Sequence, residues 1–409
     1  MDKNKRLTVW LPVIIAASIA LGIFIGNHYL SISQGKKRSY SSGNKINAIL
    51  DIIDEQYVDT VSMSKLVEST IPKIFSELDP HSVYIPAEDA SVVNEELEGS
   101  FSGIGVSFNM QTDTILVISV ISGGPAEKAG LLPFDRIISI NDSIFSGKKK
   151  NQGEIMKTLR GAKNSTVKLG VQRGNSPELL YFDVTRGDVP VNSVDVSFEA
   201  AKGIGYIKVS KFARNTYNEF ITAIAKLKQA GCTSFVIDLR CNTGGYMDAA
   251  INMINEFMPE GRLIVYTEGK SFPRSDVYAN GTGTCKDAPI VVLTDEISAS
   301  ASEIFSGAIQ DNDRGTIIGR RTYGKGLVQT QMSLSDGSEM RLTIARYYTP
   351  SGRCIQKKYE MGNTDAYDQD IYNRYMHGEF DSADSIKMDD SLKYQTVGGR
   401  TVYGGGGIM

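Results

Sequence analysis

The chain has 409 residues, more than one hydrophobic core usually organises, so its length predicts two or three domains. Hydrophobic residues make up 41 % and charged residues 22 % of the sequence, which is ordinary for a folded protein and excludes wholesale disorder. The formal net charge of −3 provides no basic field for a polyanion, so no nucleic acid partner is expected.

Histidine and cysteine are scarce. The three histidines are His28, His81 and His377, so a mechanism that needs a histidine base has little to draw on. The four cysteines form no CxxC pair and no Cys/His cluster, so neither a metal site nor a cofactor is implied. In an oxidising compartment Cys285 and Cys354 could form a disulfide, and the sequence leaves open whether they do.

The N-terminus predicts a membrane anchor. Lys3, Lys5 and Arg6 precede an uncharged apolar run, and its length suits a bilayer core of roughly 30 Å. The order of charges predicts a cytoplasmic tail (1–6), a transmembrane signal-anchor (7–26) and a linker (27–43). The expected location is a single pass through the bacterial inner membrane with the rest in the periplasm; a cleaved signal peptide ending near residues 31–33 is the alternative.

Beyond the linker the pattern changes twice. Residues 44–98 have helical periodicity, interrupted by the proline turn LDPHSVY. Residues 99–188 contain short β-rich runs between turn signals and predict a small β-rich module. Its predicted elements are the strands Gly105–Asn109, Thr114–Ile121, Arg136–Ile140 and Thr166–Gln172 and the helix Gly153–Arg160.

Strands and helices alternate over residues 189–357. Unbroken apolar strands such as PIVVL favour an α/β layer fold around a buried sheet. The predicted helices are Thr216–Ala230, Tyr246–Glu256 and Ala301–Asp311. Residues 358–409 are rich in acids, tyrosine and glycine and are interpreted as a C-terminal extension that continues past Met409.

A serine-rich segment, SASASE, lies between a predicted strand and a predicted helix. A hydroxyl at a helix N-terminus is close to free N–H groups that favour developing negative charge, which suits the nucleophile of an acyl transfer. Ser300 with Glu303 also matches a capping box, and the spacing does not separate Ser298, Ser300 and Ser302.

Lys325 lies between two glycines. To act as a base near neutral pH, a lysine needs its pKa lowered from about 10.4 by roughly three units, which burial can supply. Gln329, four residues on, can hold the amine without adding charge. The alternative is a solvent-exposed turn lysine; a phosphate-binding loop is excluded because Gly326 replaces the required Ser or Thr.

The segment DLRCNTGG ends a predicted strand and leads into a helix. Backbone N–H groups in such a glycine-rich turn can form a nest for an anion, which suits an oxyanion hole. A plain strand–helix connection explains the segment equally well.

Taken together, SASASEIFSGAIQDN followed by GKGLVQ closely resembles the C-terminal processing peptidases, also called tail-specific proteases. In that family a SASASE serine and a GKG lysine 25 positions later form the catalytic pair, which implies Ser300 and Lys325. The glutamine four positions further on corresponds to Gln329. The segments LDPHSVYIP and YYTPSGRCIQ extend the resemblance from about residue 44 to the end.

The turn DLRCNTGG resembles the DLRNNPGG-like turn of the same family, with Cys241 and Thr243 as departures. The resemblance implies that the backbone N–H groups of Gly244 and Ala301 form the oxyanion hole. If only the backbone acts there, neither departure is expected to affect the chemistry.

The resemblance further implies a crotonase/Clp-protease-like α/β core with an inserted PDZ domain of the circularly permuted bacterial kind. Arg160 resembles an arginine that couples peptide docking to the protease. The loop expected to bind a substrate's C-terminal carboxylate consists of Gly103, Ile104, Gly105 and Val106.

The sequence therefore predicts a serine endopeptidase that recognises exposed C-termini of exported polypeptides and cleaves through a Ser/Lys dyad. One alternative is an inactive PDZ scaffold that binds C-terminal tails; intact Ser300, Lys325 and Gln329 speak against it. Another is a lyase or hydratase with a related α/β core, which leaves the PDZ module and the anchor unexplained. The helical region after the linker either pairs two protomers in a homodimer or caps the core.

Overall fold

The computed structural model describes residues 16–22, 42–111, 114–144 and 152–409. Residues 16–22 are helical. The rest of the predicted anchor (7–26) and most of the linker lie outside the described residues, and among the described residues no helix has the length and apolarity to cross a bilayer.

The chain divides into two compact units after Thr70. The first contains helix α1 (Ser42–Gln56) and most of helix α2 (Met63–Ser76), where helical periodicity was predicted. Three isoleucines of α1 spaced three residues apart, Ile46, Ile49 and Ile52, are exposed.

The second unit begins with the end of α2, followed by the LDPHS turn, strand β1 (Val83–Ile85) and helix α3 (Ala87–Glu98). The carboxylate of Asp79 fixes the turn by accepting the N–H groups of His81 at 3.0 Å and Ser82 at 3.1 Å. Two acids in the first turn of α3 suit the positive end of the helix dipole, and Gly99 ends the helix in a left-handed conformation.

A β-rich module follows α3. Apolar residues alternate along its central strands, so one face of the sheet forms a buried core that includes Ile115, Ile137 and Leu169. Ile155 of the module's second helix packs into the same core. Strand order is β3-β4-β5-β7-β8, with β6 paired to β5 and β2 paired separately to β9, so β3 is an edge strand. The elements are β2 (Ser100–Gly103), β3 (Val106–Gln111), β4 (Thr114–Val120), α4 (Pro125–Ala129), β5 (Arg136–Ile140), β6 (Ser143–Ile144), α5 (Gln152–Leu159), β7 (Thr166–Gln172), β8 (Leu179–Thr185) and β9 (Gly187–Pro190).

The α/β core is built on two sheets. The elements are β10 (Val194–Ala201), β11 (Ile204–Val209), α6 (Thr216–Gln229), β12 (Ser234–Asp238), α7 (Met247–Asn255), β13 (Leu263–Glu268), β14 (Ser275–Tyr278), β15 (Ile290–Thr294), α8 (Ala301–Asp311), β16 (Thr316–Gly319), β17 (Leu327–Ser333) and β18 (Glu339–Tyr348). One sheet has the order β10-β11-β12-β15-β16 and is parallel except for β10. The predicted α/β alternation is confirmed, and α8 has the predicted bounds.

The second sheet joins distant parts of the chain. Its order is β1-β18-β13-β14, and β17 also pairs with β18. The LDPHS turn is therefore brought beside β17, the strand that follows the GKG segment. Between the sheets, Phe257 makes edge-to-face contacts with Phe220, Phe235 and Phe305 in the centre of the core.

The C-terminal region contains helices α9 (Thr364–Asp368) and α10 (Asp370–Met376), two short 3₁₀ turns (Ala383–Ser385 and Asp390–Leu392), and the hairpin β19 (Lys393–Gln395) with β20 (Thr401–Tyr403). The last residues pack into the core: Ile408 is fully buried and its N–H donates to the Thr322 hydroxyl at 2.7 Å. All four cysteines are free thiols, so Cys285 and Cys354 are not bonded to each other.

Candidate active site

Ser300 lies at the turn between buried strand β15 and the first residue of α8. Its backbone has φ 56° and ψ −113°, a conformation that a residue with a side chain adopts only when its surroundings impose it. The two neighbouring serines are fully buried and have structural bonds: Ser298 donates to the Leu239 carbonyl at 2.8 Å and Ser302 to the Asn242 carbonyl at 2.9 Å. Of the three serines that the sequence left open, only Ser300 is partly exposed.

Glu303 links the Ser300 segment to the Lys325 segment. One carboxylate oxygen accepts the N–H groups of Ser300 at 2.8 Å and Lys325 at 2.9 Å. The other accepts the Thr322 hydroxyl at 2.6 Å and the Gly324 N–H at 2.7 Å. The capping-box glutamate of the sequence is thus also a fully buried bridge that holds the serine and lysine backbones on one carboxylate.

Burial raises the pKa of Glu303 to about 7, while its four donors oppose that rise. Each carboxylate oxygen already accepts two hydrogen bonds, so neither has a lone pair left to bind a proton. Glu303 is therefore a carboxylate when the bridge is intact, and protonation on acidification removes at least one of its contacts.

Lys325 is half-buried, and its Nζ donates to Gln329 Oε1 at 3.0 Å, so the predicted pairing of the amine with Gln329 is present. Burial lowers the pKa of Lys325, and the nearby Arg341 lowers it further, while Glu303 and Asp79 act in the opposite direction. This is the direction that a lysine base requires. The alternative of a turn lysine in open solvent is not what the structure shows.

Tyr347 provides a second link between the two segments. Its buried hydroxyl lies 2.5 Å from the Lys325 carbonyl oxygen and 3.1 Å from the Ser300 carbonyl oxygen. Burial raises the pKa of Tyr347 well above its usual value, so it remains a neutral donor. No signal around Tyr347 in the sequence indicated this contact.

The glycine turn of DLRCNTGG packs directly against the serine. A Cβ built on Gly244 would lie 2.7 Å from Ser300 Cβ and 3.1 Å from Ala301 N, so only glycine fits there, and its φ of 104° has the same requirement. The N–H of Gly244, however, donates to Asn242 Oδ1 at 2.9 Å. The family resemblance implies that this N–H helps to form the oxyanion hole. In that role an oxyanion would have to share it with Asn242 or displace Asn242.

Two buried polar side chains hold this turn. Asn242 Nδ2 donates to the Val209 carbonyl at 2.9 Å, and the Asn242 carbonyl accepts the Ala299 N–H at 3.0 Å. Asp295 accepts the Cys241 N–H at 2.9 and 3.0 Å from its two oxygens. Cys241, one of the two departures from the family turn, has φ 59°, a conformation uncommon for residues other than glycine, asparagine and aspartate.

The PDZ-loop residues are also placed together. Gly103, Ile104 and Gly105 are buried between β2 and β3, and Arg160 follows α5 beside them. The Arg160 guanidinium lies 4.5 Å from the centre of the Phe101 ring and 3.3 Å from a carboxylate oxygen of Glu95.

Helix α3, which contains Glu95, also contacts the α/β core. Glu98, at its last position, forms a two-pronged ion pair with Arg214 at 2.7 Å and accepts the Tyr246 hydroxyl at 3.1 Å. Tyr246 directly follows the Gly244–Gly245 turn. The same helix therefore contacts Arg160, beside the loop from Gly103 to Val106, and Tyr246, beside the Gly244–Gly245 turn.

The fold and site thus define a serine peptidase core with a PDZ domain, and comparison with known proteins agrees. The family model "Peptidase family S41" matches residues 203–365, and the model "PDZ domain" matches residues 102–195.

Named relatives give the same result. The chain is 34 % identical over 318 residues to the carboxy-terminal processing protease CtpB of Bacillus subtilis, covering 77 % of this chain and 66 % of the relative. It is 33 % identical over 365 residues to a probable CtpA-like serine protease of Staphylococcus aureus, covering 87 % and 72 %. Among solved structures, the photosystem II D1 C-terminal processing protease aligns at 28 % identity with a TM-score of 0.43, covering 76 % and 90 %.

The chain belongs to peptidase family S41, among the C-terminal processing serine peptidases. The resemblance stated from the sequence motifs is confirmed.

Proposed function

We propose that this protein is an endopeptidase that uses Ser300 as nucleophile and neutral Lys325 as general base. The observation that carries the proposal is the convergence of both backbones on the Glu303 carboxylate, with the lysine amine oriented by Gln329. Membership of a serine peptidase family supports the assignment.

In the first step Lys325 Nζ takes the proton of Ser300 Oγ, and Oγ attacks the scissile carbonyl carbon. The developing oxyanion is stabilised by the Ala301 N–H, the first free N–H of α8, and by the Gly244 N–H once Asn242 yields it. The carbon–nitrogen bond then breaks while Lys325 returns the proton to the leaving amine. Lys325 Nζ then deprotonates a water molecule, which attacks the acyl-enzyme carbonyl carbon, and the same Nζ returns the proton to Ser300 Oγ as the ester bond breaks.

Substrates are polypeptides with exposed C-termini. A terminal carboxylate docks on the backbone of the loop from Gly103 to Val106, and the last residues add to β3, whose edge carries no partner strand among the described residues. Peptide docking is coupled to the active site through Arg160 and α3. Arg160 contacts Glu95 on α3, and Glu98, the last residue of α3, contacts Tyr246 at the end of the glycine turn.

The N-terminal sequence supports a single-pass anchor in the inner membrane, with the catalytic part in the periplasm and exported polypeptides as substrates. The exposed isoleucine stripe of α1 supports a homodimer in which these helices pair.

The test is digestion of an unstructured protein with a free apolar C-terminus by wild type, Ser300→Ala and Lys325→Ala. Both variants are expected to fold and to lose cleavage, and an otherwise identical substrate with an amidated C-terminus is expected to be cleaved more slowly by wild type. Cleavage by Lys325→Ala at the wild-type rate would exclude the dyad.

A serine-directed phosphonate separates this function from an inactive tail-binding scaffold. Covalent labelling of wild type and not of Ser300→Ala is expected. An unlabelled wild-type protein that still binds free C-termini would be a scaffold.

A further inference from the structure

A closed chain of hydrogen bonds runs around Lys325. Starting from the amine, Lys325 donates to Gln329, Gln329 to the His81 carbonyl, and the His81 ring pairs with the Tyr367 hydroxyl. The Tyr367 hydroxyl also accepts from Gln356, and Gln356 accepts the N–H of the residue after the lysine. We call this set the lysine-positioning ring; its members are Lys325, Gln329, His81, Tyr367, Gln356 and Gly326.

Group chemistry fixes the hydrogen bonds of Gln356 on one side of the ring. Gln356 Oε1 accepts the Gly326 N–H at 2.8 Å, so its amide nitrogen faces the Tyr367 hydroxyl at 3.2 Å. An amide nitrogen only donates, so the tyrosine oxygen accepts there. The same hydroxyl forms a hydrogen bond with His81 Nε2 at 2.9 Å.

On the other side of the ring the same reasoning fixes Gln329. The His81 carbonyl can only accept, so Gln329 must present its nitrogen to it and its oxygen to the lysine. A neutral amine that donates one N–H to a fixed acceptor has its lone pair restricted in direction. A rotated amide would present N–H groups to the amine and compete for that lone pair.

The ring is rigidly supported. Tyr367 is 3 % and Gln356 9 % exposed, and the His81 ring packs edge-on against Tyr367 with ring centres 5.3 Å apart. The turn that carries His81 is tied to β18, because Asp79 accepts the Thr343 hydroxyl at 2.9 Å. Burial lowers the pKa of His81 to about 4, so the imidazole is neutral where the enzyme would work.

We infer that His81 and Tyr367 are positioning residues that orient the Gln329 amide and thereby the Lys325 amine toward Ser300. The inference rests on the proposed function, because it assigns the ring a role only if the lysine is the base. His81 acts through its main-chain carbonyl, and its side chain and Tyr367 keep that carbonyl in place.

The test uses Tyr367→Phe, which removes one hydroxyl and keeps the ring. We expect kcat on the unstructured substrate to fall about tenfold with little change in KM, because a misdirected base slows chemistry and not docking. The acid limb of the kcat/KM profile is expected to move to higher pH, since a looser and wetter amine retains its proton more strongly. Tyr359→Phe is the matched control: its ring contacts that of Tyr367 at 6.4 Å between centres, and it should behave as wild type.

A double-mutant cycle separates positioning from general packing. If Tyr367 acts through Gln329, then adding Tyr367→Phe to Gln329→Ala should change the rate of Ser300 phosphonylation by less than about twofold. The inference would be overturned if Tyr367→Phe lowered the rate equally in the wild-type and Gln329→Ala backgrounds, or if Tyr367→Phe had wild-type kinetics. If Lys325→Ala is inactive in the same assay, the proposed dyad is unaffected by that outcome. A fully active Lys325→Ala would instead remove both.

If thermal unfolding shows that Tyr367→Phe is not folded, a second pair of variants is used. His81→Gln keeps a polar group for the Tyr367 hydroxyl and His81→Phe does not. Recovery of kcat in His81→Gln relative to His81→Phe is expected, and equal rates would contradict the inference.

Discussion

Replacing Glu303 with glutamine tests the bridge between the nucleophile and base segments. The side chain keeps its size and loses one acceptor. In the present structure all four contacts of Glu303 are donors to it: three backbone N–H groups and the Thr322 hydroxyl.

The size of the effect follows from those contacts. A glutamine whose oxygen faces Thr322 and Gly324 directs its nitrogen at the N–H groups of Ser300 and Lys325, and two buried donors lose their acceptor. Each buried donor without an acceptor costs about 1–3 kcal/mol, so the expected loss of stability is about 2–6 kcal/mol. The opposite rotamer is no better, because Gly324 then loses its acceptor and the hydroxyl must rotate away.

Both stability and catalysis should respond. Denaturant unfolding of Glu303→Gln and wild type gives the free-energy difference, and kcat on the unstructured substrate, measured where the variant is folded, gives the catalytic loss. We expect kcat to fall more than the folded fraction does, since Ser300 and Lys325 are no longer tied to one carboxylate. Glu296→Gln is the control, because Glu296 lies in the loop just before α8 and pairs with Arg320 near the surface, where a pair contributes about 1 kcal/mol or less.

The reasoning would be refuted by a Glu303→Gln protein within about 0.5 kcal/mol of wild type that retains its kcat. Such a result would mean that the four donors find other acceptors at no cost, and that the bridge does not position the dyad.

Gly244→Ala is expected to lose at least about a hundredfold in kcat/KM and to unfold at a lower temperature than wild type, because its methyl would lie 2.7 Å from Ser300 Cβ and 3.1 Å from Ala301 N, beside the proposed oxyanion hole; activity and thermal midpoint measured together check this. Asp311→Asn should destabilise the protein by about 3–5 kcal/mol in denaturant unfolding, since it removes the carboxylate 2.7 Å from the fully buried Arg353 guanidinium. His81 contributes stability that is present above pH 6.5 and is lost as the pH falls toward about 4, because the unfolded chain binds a proton at a higher pH than the folded protein does. The full contribution is about 3 kcal/mol, and a stability–pH curve of His81→Gln should lack that slope.

The candidate residues that the sequence brought forward lie in contiguous motifs. The family resemblance of one stretch pointed to Ser300, Lys325 and Gln329, and the paired glycines of DLRCNTGG indicated a tight turn at Gly244. Helix α8 was predicted with its true bounds because strand, cap and amphipathic pattern agree there.

The remaining contacts depend on pairing between distant segments. His81 reaches Gln329 only because β1 pairs with β18, and β18 pairs with β17, a register that no local pattern specifies. Tyr367 lies in a region whose acidic, tyrosine-rich composition predicted no element, yet it is buried and its hydroxyl bonds to the His81 ring. The occupied N–H of Gly244 was also unpredictable, because it depends on one rotamer of Asn242.

The two halves of the site differ in how completely they are organised. The lysine segment is held from both sides: the Thr322 hydroxyl bonds to Glu303 on one side and accepts the Ile408 N–H on the other, and the Thr322 carbonyl accepts from Arg374 at 2.9 Å. The oxyanion side is not ready in the same sense, because an internal acceptor occupies the Gly244 N–H. A base that is already fixed needs no substrate to form it. Under the proposed function, the rearrangement that substrate must cause lies at the glycine turn, next to the contact of α3 with Tyr246.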